Sequence, residues 1–184
     1  NIWEAVSENA QSVDGRIPFI LLLNTFVKDN VMVDVCSLGG ISLLKWVEES
    51  VLEKNKAITA ESMHLILSDI WRAICMLHEQ EIMHRDIKLE NVLLDFNEEQ
   101  EVVGAKLTDF GFSARFYRPD TDEIVSPRIA AAELSVRRRA GCTHARATCG
   151  TLPYASTWTI RGIGTPGNDM VAFMRMVYVL YEKH

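Results

Sequence analysis

The eight residues HRDIKLEN, positions 84 to 91, sit between two apolar runs. Ile82 and Met83 precede them, and Val92, Leu93 and Leu94 come after. Five of their side chains can carry charge: His84, Arg85, Asp86, Lys88 and Glu90. Ionised groups are costly to bury unless they are paired. A charged knot between two segments that seek burial therefore demands a fold that brings counter-charges, metal or a polar ligand to that point.

The rest of the chain can build such a fold. Its 184 residues are 48% apolar and 24% charged, enough for one sizeable domain with a real core. The net charge of −6 argues against a general nucleic-acid binder. Four cysteines, Cys36, Cys75, Cys142 and Cys149, form no CxxC pair, and a chain this rich in core residues needs no disulfide frame. Reduced thiols and an intracellular place, cytoplasmic or nuclear, are expected. The longest apolar run near the start, IPFILLL at 17–23, is strand-sized, so no membrane is expected as a partner. No basic stretch followed by an apolar one opens the chain, which begins at Asn1.

Local patterns give the elements. Residues 2–10 read as a short helix with Ile2, Val6 and Ala10 on one side. PFILLLNTFV and VMVDV flank the turn KDN (28–30) and read as a hairpin. From 41 to about 52, Leu43, Leu44, Val47 and Val51 recur at helical spacing. Thr59 is the expected N-cap of a strongly amphipathic helix with Met63, Ile66, Ile70, Ile74 and Leu77 on one face. VLLD and AKLT read as strands around an acidic turn, 96–101. A final helix over 168–182 is expected, capped by Asn168 with Asp169 in its first turn, and apolar almost all round. Between 112 and 156 there is little periodicity.

Here the residues carry a resemblance. His84, Arg85, Asp86 and Asn91 match H-R-D-x-x-x-x-N without a gap, and Asp109-Phe110-Gly111 comes eighteen residues after Asn91. The two patterns, in order and flanking two strands, resemble the catalytic core of the eukaryotic protein kinases. The resemblance implies an α+β, two-lobed protein-kinase-like fold present in part: residues 1–36 as a remnant of the small lobe, and 37–184 as a partial helical lobe. It implies ATP and Mg²⁺ as cofactors and a protein as substrate. In that family Asp86 accepts the substrate hydroxyl's proton, while Asn91 and Asp109 offer hard oxygen ligands to Mg²⁺. Lys88 looks like the lysine that marks serine/threonine kinases and touches the transferred phosphate. Arg85 suggests control by phosphorylation of the activation segment, with Ser126, Ser135, Thr143 and Thr148 as candidates.

Weaker likenesses fit the same frame. Asp34, Val35 and Cys36 resemble the hinge that offers backbone groups to the adenine ring, with Val33 gating the back of the pocket. Glu4 lies where the resemblance places the helix glutamate that pairs with an ATP-anchoring lysine, with Glu8 as a rival. CGTLPY (149–154) resembles the substrate-docking end of the activation segment, with Thr151 against Lys88 and Asp86; CGTLPYAS hints at the calmodulin-dependent or checkpoint branch. Asp169 resembles the buried aspartate that ties down the catalytic-loop backbone. Zinc on Cys142, His144 and Cys149 fits no common spacing, and the basic run 137–139 reads as a solvated loop.

The pattern also departs from the family. No G-x-G-x-x-G loop over the phosphates and no V-A-x-K strand stands ahead of the hinge-like residues 33–36, where the resemblance places both. TWTIRGIGTPG succeeds Ser156 where a P-E pair is expected. A misjoined, truncated or degenerate kinase explains this change, and the intact Asp86, Asn91 and Asp109 favour the first. The final helix then lacks partners, so an exposed apolar patch is expected. The expected function is a serine/threonine protein kinase whose chain as written is inactive; a non-catalytic kinase-like binding module is the alternative.

Overall fold

The computed structural model describes residues 2–12, 15–53, 58–115, 150–156 and 164–182. Strands and helices mix, as the α+β expectation has it. Helix α1 (Ile2–Glu8) leads to the hairpin β1 (Leu22–Lys28) and β2 (Val31–Cys36). The turn is tighter than KDN: Lys28 still pairs with Val31, and only Asp29 and Asn30 turn, at φ 51 and 63. Both central residues of a type I′ turn need positive φ, which Asp and Asn tolerate.

The predicted helix from 41 begins later. Ile41–Ser42 is strand β3, pairing with Leu94 and Leu93. Gly40 permits that approach: a Cβ there would lie 1.7 Å from the Leu94 carbonyl oxygen. The Ser42 side chain then accepts from Lys45 N and caps α2 (Leu43–Val47), which widens into a π-turn over Glu48–Glu53.

Helix α3 (Ala60–Glu79) starts as predicted, with Thr59 Oγ1 accepting from Ser62 N at 3.1 Å. Its stripe Ile66, Ile70, Ala73, Ile74 and Leu77 is fully buried, while Met63 is half-buried. After α3 come β4 (Ile82–Met83), β5 (Val92–Phe96), β6 (Val102–Leu107) and β7 (Ala114–Arg115). Strand β6 is longer than AKLT. Strands β3, β5 and β6 form one sheet in that order, while β4 pairs with β7. Residues 18–20 run parallel along β6: Leu107 N donates to Pro18 O and Ile20 N to Leu107 O, at 2.9 and 3.0 Å.

Helix α4 spans Pro166–Glu182, two residues earlier than expected. Proline suits the first helical position, so Asn168 lies inside the first turn rather than at the cap. The helix is not without partners. It buries Ala172, Phe173, Met176 and Leu180, with Phe173 5.6 Å from Trp71 of α3. Val171, Met174, Tyr178 and Tyr181 remain exposed.

Candidate active site

The apolar flanks of the charged knot enter sheets through β4 and β5, and the knot turns between them. Its backbone is fastened from outside. Asp169, 1% exposed, accepts from His84 N through Oδ2 and from Arg85 N through Oδ1, both at 2.8 Å. Its Oδ2 also lies 3.0 Å from His78 Nε2. These bonds hold Arg85 in the left-handed region at φ 74, a conformation that costs a non-glycine residue about 1–2 kcal/mol.

His84 is fully buried. Burial pushes its imidazole below the ordinary value, against the opposing pull of Asp169, the Thr108 bond, Asp86 and Asp109. The neutral ring fits its partners: Nε2 donates to Thr108 O at 3.0 Å, and Nδ1 accepts from Asp86 N at 3.3 Å. Thr108 N in turn donates to Asn91 O at 3.0 Å, which locks the start of the DFG segment to the knot.

Asp86 is the centre of convergence. Lys88 Nζ lies 2.7 Å from Oδ2, and Asn91 Nδ2 donates to Oδ2 at 3.1 Å and to the Asp86 carbonyl at 2.9 Å. Thr151 donates to Oδ1 through both N and Oγ1, each at 3.0 Å, and its hydroxyl accepts from Lys88 Nζ at 2.9 Å. Burial pushes the carboxyl up, but the bonds from Lys88 and Thr151, the Lys88 charge and the Asn91 bond outweigh it and hold the group below the usual carboxylate range. Gly150 makes Thr151's approach possible. It sits at φ 97, and a Cβ there would lie 2.8 Å from Arg85 O.

Asp86, Lys88, Asn91 and Thr151 are thus brought together as expected, although Thr151 is 65 residues from Asp86. Asp109 comes directly after Thr108, at φ 64, with its Oδ1 accepting from Gly111 N at 3.2 Å. Asn91 and Asp109 fit Mg²⁺ in kind. The Asn91 amide nitrogen is committed to Asp86, which leaves Oδ1 as its donor to a cation. Among the described residues no cluster of three or more His, Cys, Asp or Glu could hold a metal; Mg²⁺ asks for one or two carboxylates and completes its shell with water and phosphate.

Val33, Asp34, Val35 and Cys36 lie on β2, in a separate two-stranded sheet. Asp34 Oδ1 accepts from Thr25 Oγ1 at 2.7 Å, and Cys36 is an exposed free thiol. Glu4 is exposed on α1. Ser126, Ser135, Thr143, Thr148, Cys142, His144, Cys149 and the basic run 137–139 lie outside the described residues.

Sequence reasoning missed the aromatic box around Phe110. Trp3 stacks on it at 6.4 Å between centroids, Phe19 meets it at 6.1 Å and His84 at 5.3 Å. Trp3 Nε1 also donates to Ile20 O at 2.7 Å. A second miss lies just after the docking-like stretch: Ser156, 3% exposed, donates to Asn168 Oδ1 at 3.0 Å, and Arg175 donates to Ala155 O. These bonds join residues 155 and 156 to α4.

The protein kinase domain profile matches residues 19–161. The chain is 30% identical over 154 residues, 83% of its length, to the probable serine/threonine-protein kinase gdt2 of Dictyostelium discoideum, of which it covers 8%. It is 44% identical over 64 residues, 35% of its length, to developmentally-regulated protein kinase 1 of the same organism, again 8% of that protein. With the putative ribosomal protein S6 kinase alpha-2 of Caenorhabditis elegans it shares 30% identity over 122 residues, 66% of this chain and 12% of the relative. The matched part of the chain therefore spans 8% to 12% of the length of these relatives.

Proposed function

The chain belongs to the protein kinase domain family, and from that premise we propose that its site serves serine/threonine phosphotransfer from ATP to a protein hydroxyl. The observation that supports this most is the Asp86 carboxylate gripped at once by Lys88, Asn91 and Thr151. A depressed carboxyl stays ionised near neutral pH, so Asp86 orients the incoming hydroxyl and accepts its proton as the new P–O bond forms and the bond from the γ-phosphorus to the bridging oxygen of ADP breaks, ADP leaving with that oxygen. Lys88 can pivot from Asp86 to the transferred phosphate and spread its developing charge. Thr151 docks the substrate backbone beside the acceptor. Asn91 and Asp109 would hold Mg²⁺, whose charge would offset that of the nucleotide phosphates. Val33 lines the adenine pocket, the backbone of Asp34, Val35 and Cys36 meets the base, and Glu4 orients a lysine.

The sequence ahead of β1 holds neither a G-x-G-x-x-G loop nor a V-A-x-K strand, so the test belongs on a longer form that carries both. Asp86→Asn there should lower kcat by about a hundredfold or more, the usual range for a positioned acid or base, with KM for ATP little changed. Asp109→Ala should abolish Mg²⁺-dependent nucleotide binding. Unchanged binding and turnover in Asp109→Ala would sink the assignment. Retained nucleotide binding with no phosphotransfer in the parent would favour the binding-module reading instead.

A further inference from the structure

Asp69 is an acid on the buried stripe of α3, three residues after Ile66 and beside Ile70. It is 1% exposed, yet two guanidinium groups reach it. Arg16 Nη2 lies 3.2 Å and Arg72 Nη1 3.3 Å from Oδ1, while Oδ2 accepts from Ala105 N of β6 at 3.1 Å. Arg72 sits one turn along the same helix, so its bond is local. Arg16 comes from the segment between α1 and β1, 53 residues away. Its stem lies across β6 at Gly104, where a Cβ would stand 3.4 Å from Arg16 Cδ. Its Nε is buried and has no hydrogen-bond partner among the described residues. A buried polar atom left unsatisfied costs about 1–3 kcal/mol, so the side chain holds this place because its outer nitrogens gain more from Asp69.

The segment just beyond Arg16 gives the contact its meaning. Residues 18–20 run along the edge of β6 by the two bonds to Leu107. Ile20 then carries the indole of Trp3, and Trp3 stacks on Phe110 of the DFG segment. The other route from Asp69 is shorter: Ala105, whose N–H it binds on β6, is four residues before Asp109. Both routes end at one place. We infer that Asp69 is a positioning residue, which clamps Arg16 and strand β6 together and so sets the DFG segment against α1. The inference concerns placement of that segment; its catalytic meaning rests on the phosphotransfer reading.

The test uses the 184-residue chain and amide hydrogen exchange, with Trp3 emission as a second signal, isolated by difference from Trp3→Phe. Arg16→Gln is the main variant, because Arg16 is partly exposed and its loss spares the core; Asp69→Asn and Arg16→Lys accompany it. In Arg16→Gln the amides of Ile20, Leu107 and Gly111 should exchange about tenfold faster, the size of one lost charge-assisted bond, and the Trp3 emission should shift to longer wavelength. The amides of His84 and Arg85, held by Asp169, should keep the parent rate. Arg16→Lys, which keeps the charge, should restore most of the protection. Unchanged exchange at Ile20 and Leu107, or equal acceleration at every amide, overturns the inference. Neither signal involves nucleotide. Failure of the phosphotransfer reading, judged by Asp109→Ala in the longer form, is therefore told apart from failure of the clamp.

Discussion

At the scale of single residues, the site is built from groups whose charge is fixed by their surroundings. His84 is the clearest. Its folded-state pKa lies below the ordinary imidazole value because burial opposes the charged form. The unfolded chain thus binds a proton that the folded chain refuses. Stability is complete above about pH 6.5 and is lost as the pH falls from there toward the folded-state value. The melting temperature should fall between about pH 7.5 and about pH 5, and more steeply than in His84→Gln, whose amide can still donate to Thr108 O. Equal slopes in the two proteins would remove His84 as the source. Asp86 is depressed too, but its loss of stability belongs to a lower window, below about pH 3.9. The resemblance pointed to Asp86, Lys88, Asn91 and Thr151, and the structure brings these four side chains together. Sequence alone did not expose Asp69 or Trp3. The signal for Asp69 was present: a carboxylate on an apolar helix stripe needs a partner. No sequence distance indicates that the partner is Arg16.

Elements were legible where local chemistry decides them. The hairpin turn is set by Asp29 and Asn30, and the start of α3 by Thr59. Thr59→Ala should cost about 1 kcal/mol, read as a lower urea midpoint with an unchanged slope. Boundaries were misjudged where a distant partner decides them. Ile41 has helical neighbours in sequence but is a strand because Leu94 lies opposite, and α4 starts at Pro166 because proline fits the first turn. The segment 150–156 shows the same dependence. Gly150 looks like an ordinary loop glycine, yet Ala there must adopt φ 97 and push against Arg85 O. In the longer form Gly150→Ala should raise KM for the protein substrate and leave Mg²⁺-nucleotide affinity near the parent value. An affinity that falls along with substrate use would show a general collapse of the site instead.

The whole molecule is unevenly covered. Its core runs through α3, β5, β6 and α4, whereas the β1–β2 hairpin shows Leu23, Val27, Val31 and Met32 to solvent, with Val27 72% and Met32 69% exposed. Periodicity pointed to α1, α3, the hairpin and the last helix, and the resemblance to the α+β class, while the short strands β3, β4 and β7 were not legible. Which faces stay open was not legible either, because burial depends on the sum of all contacts. An open apolar sheet invites self-association. Val27 and Met32 face one another across the hairpin. Val27→Glu with Met32→Lys places opposite charges there and should reduce light scattering at high concentration while the melting temperature stays within about 2 °C of the parent. Scattering that persists would move the sticky face to Val171, Met174, Tyr178 and Tyr181 of α4.

Asp169 has a consequence in time as well as in space. The carboxylate that shapes His84 and Arg85 lies 85 and 84 residues further along the chain. A ribosome adding about 5–20 residues each second therefore finishes the 84–91 loop several seconds before it makes the group that holds it. During that interval the two bonds from Asp169 to the His84 and Arg85 amides cannot form, and the loop waits for residue 169 to complete its hold.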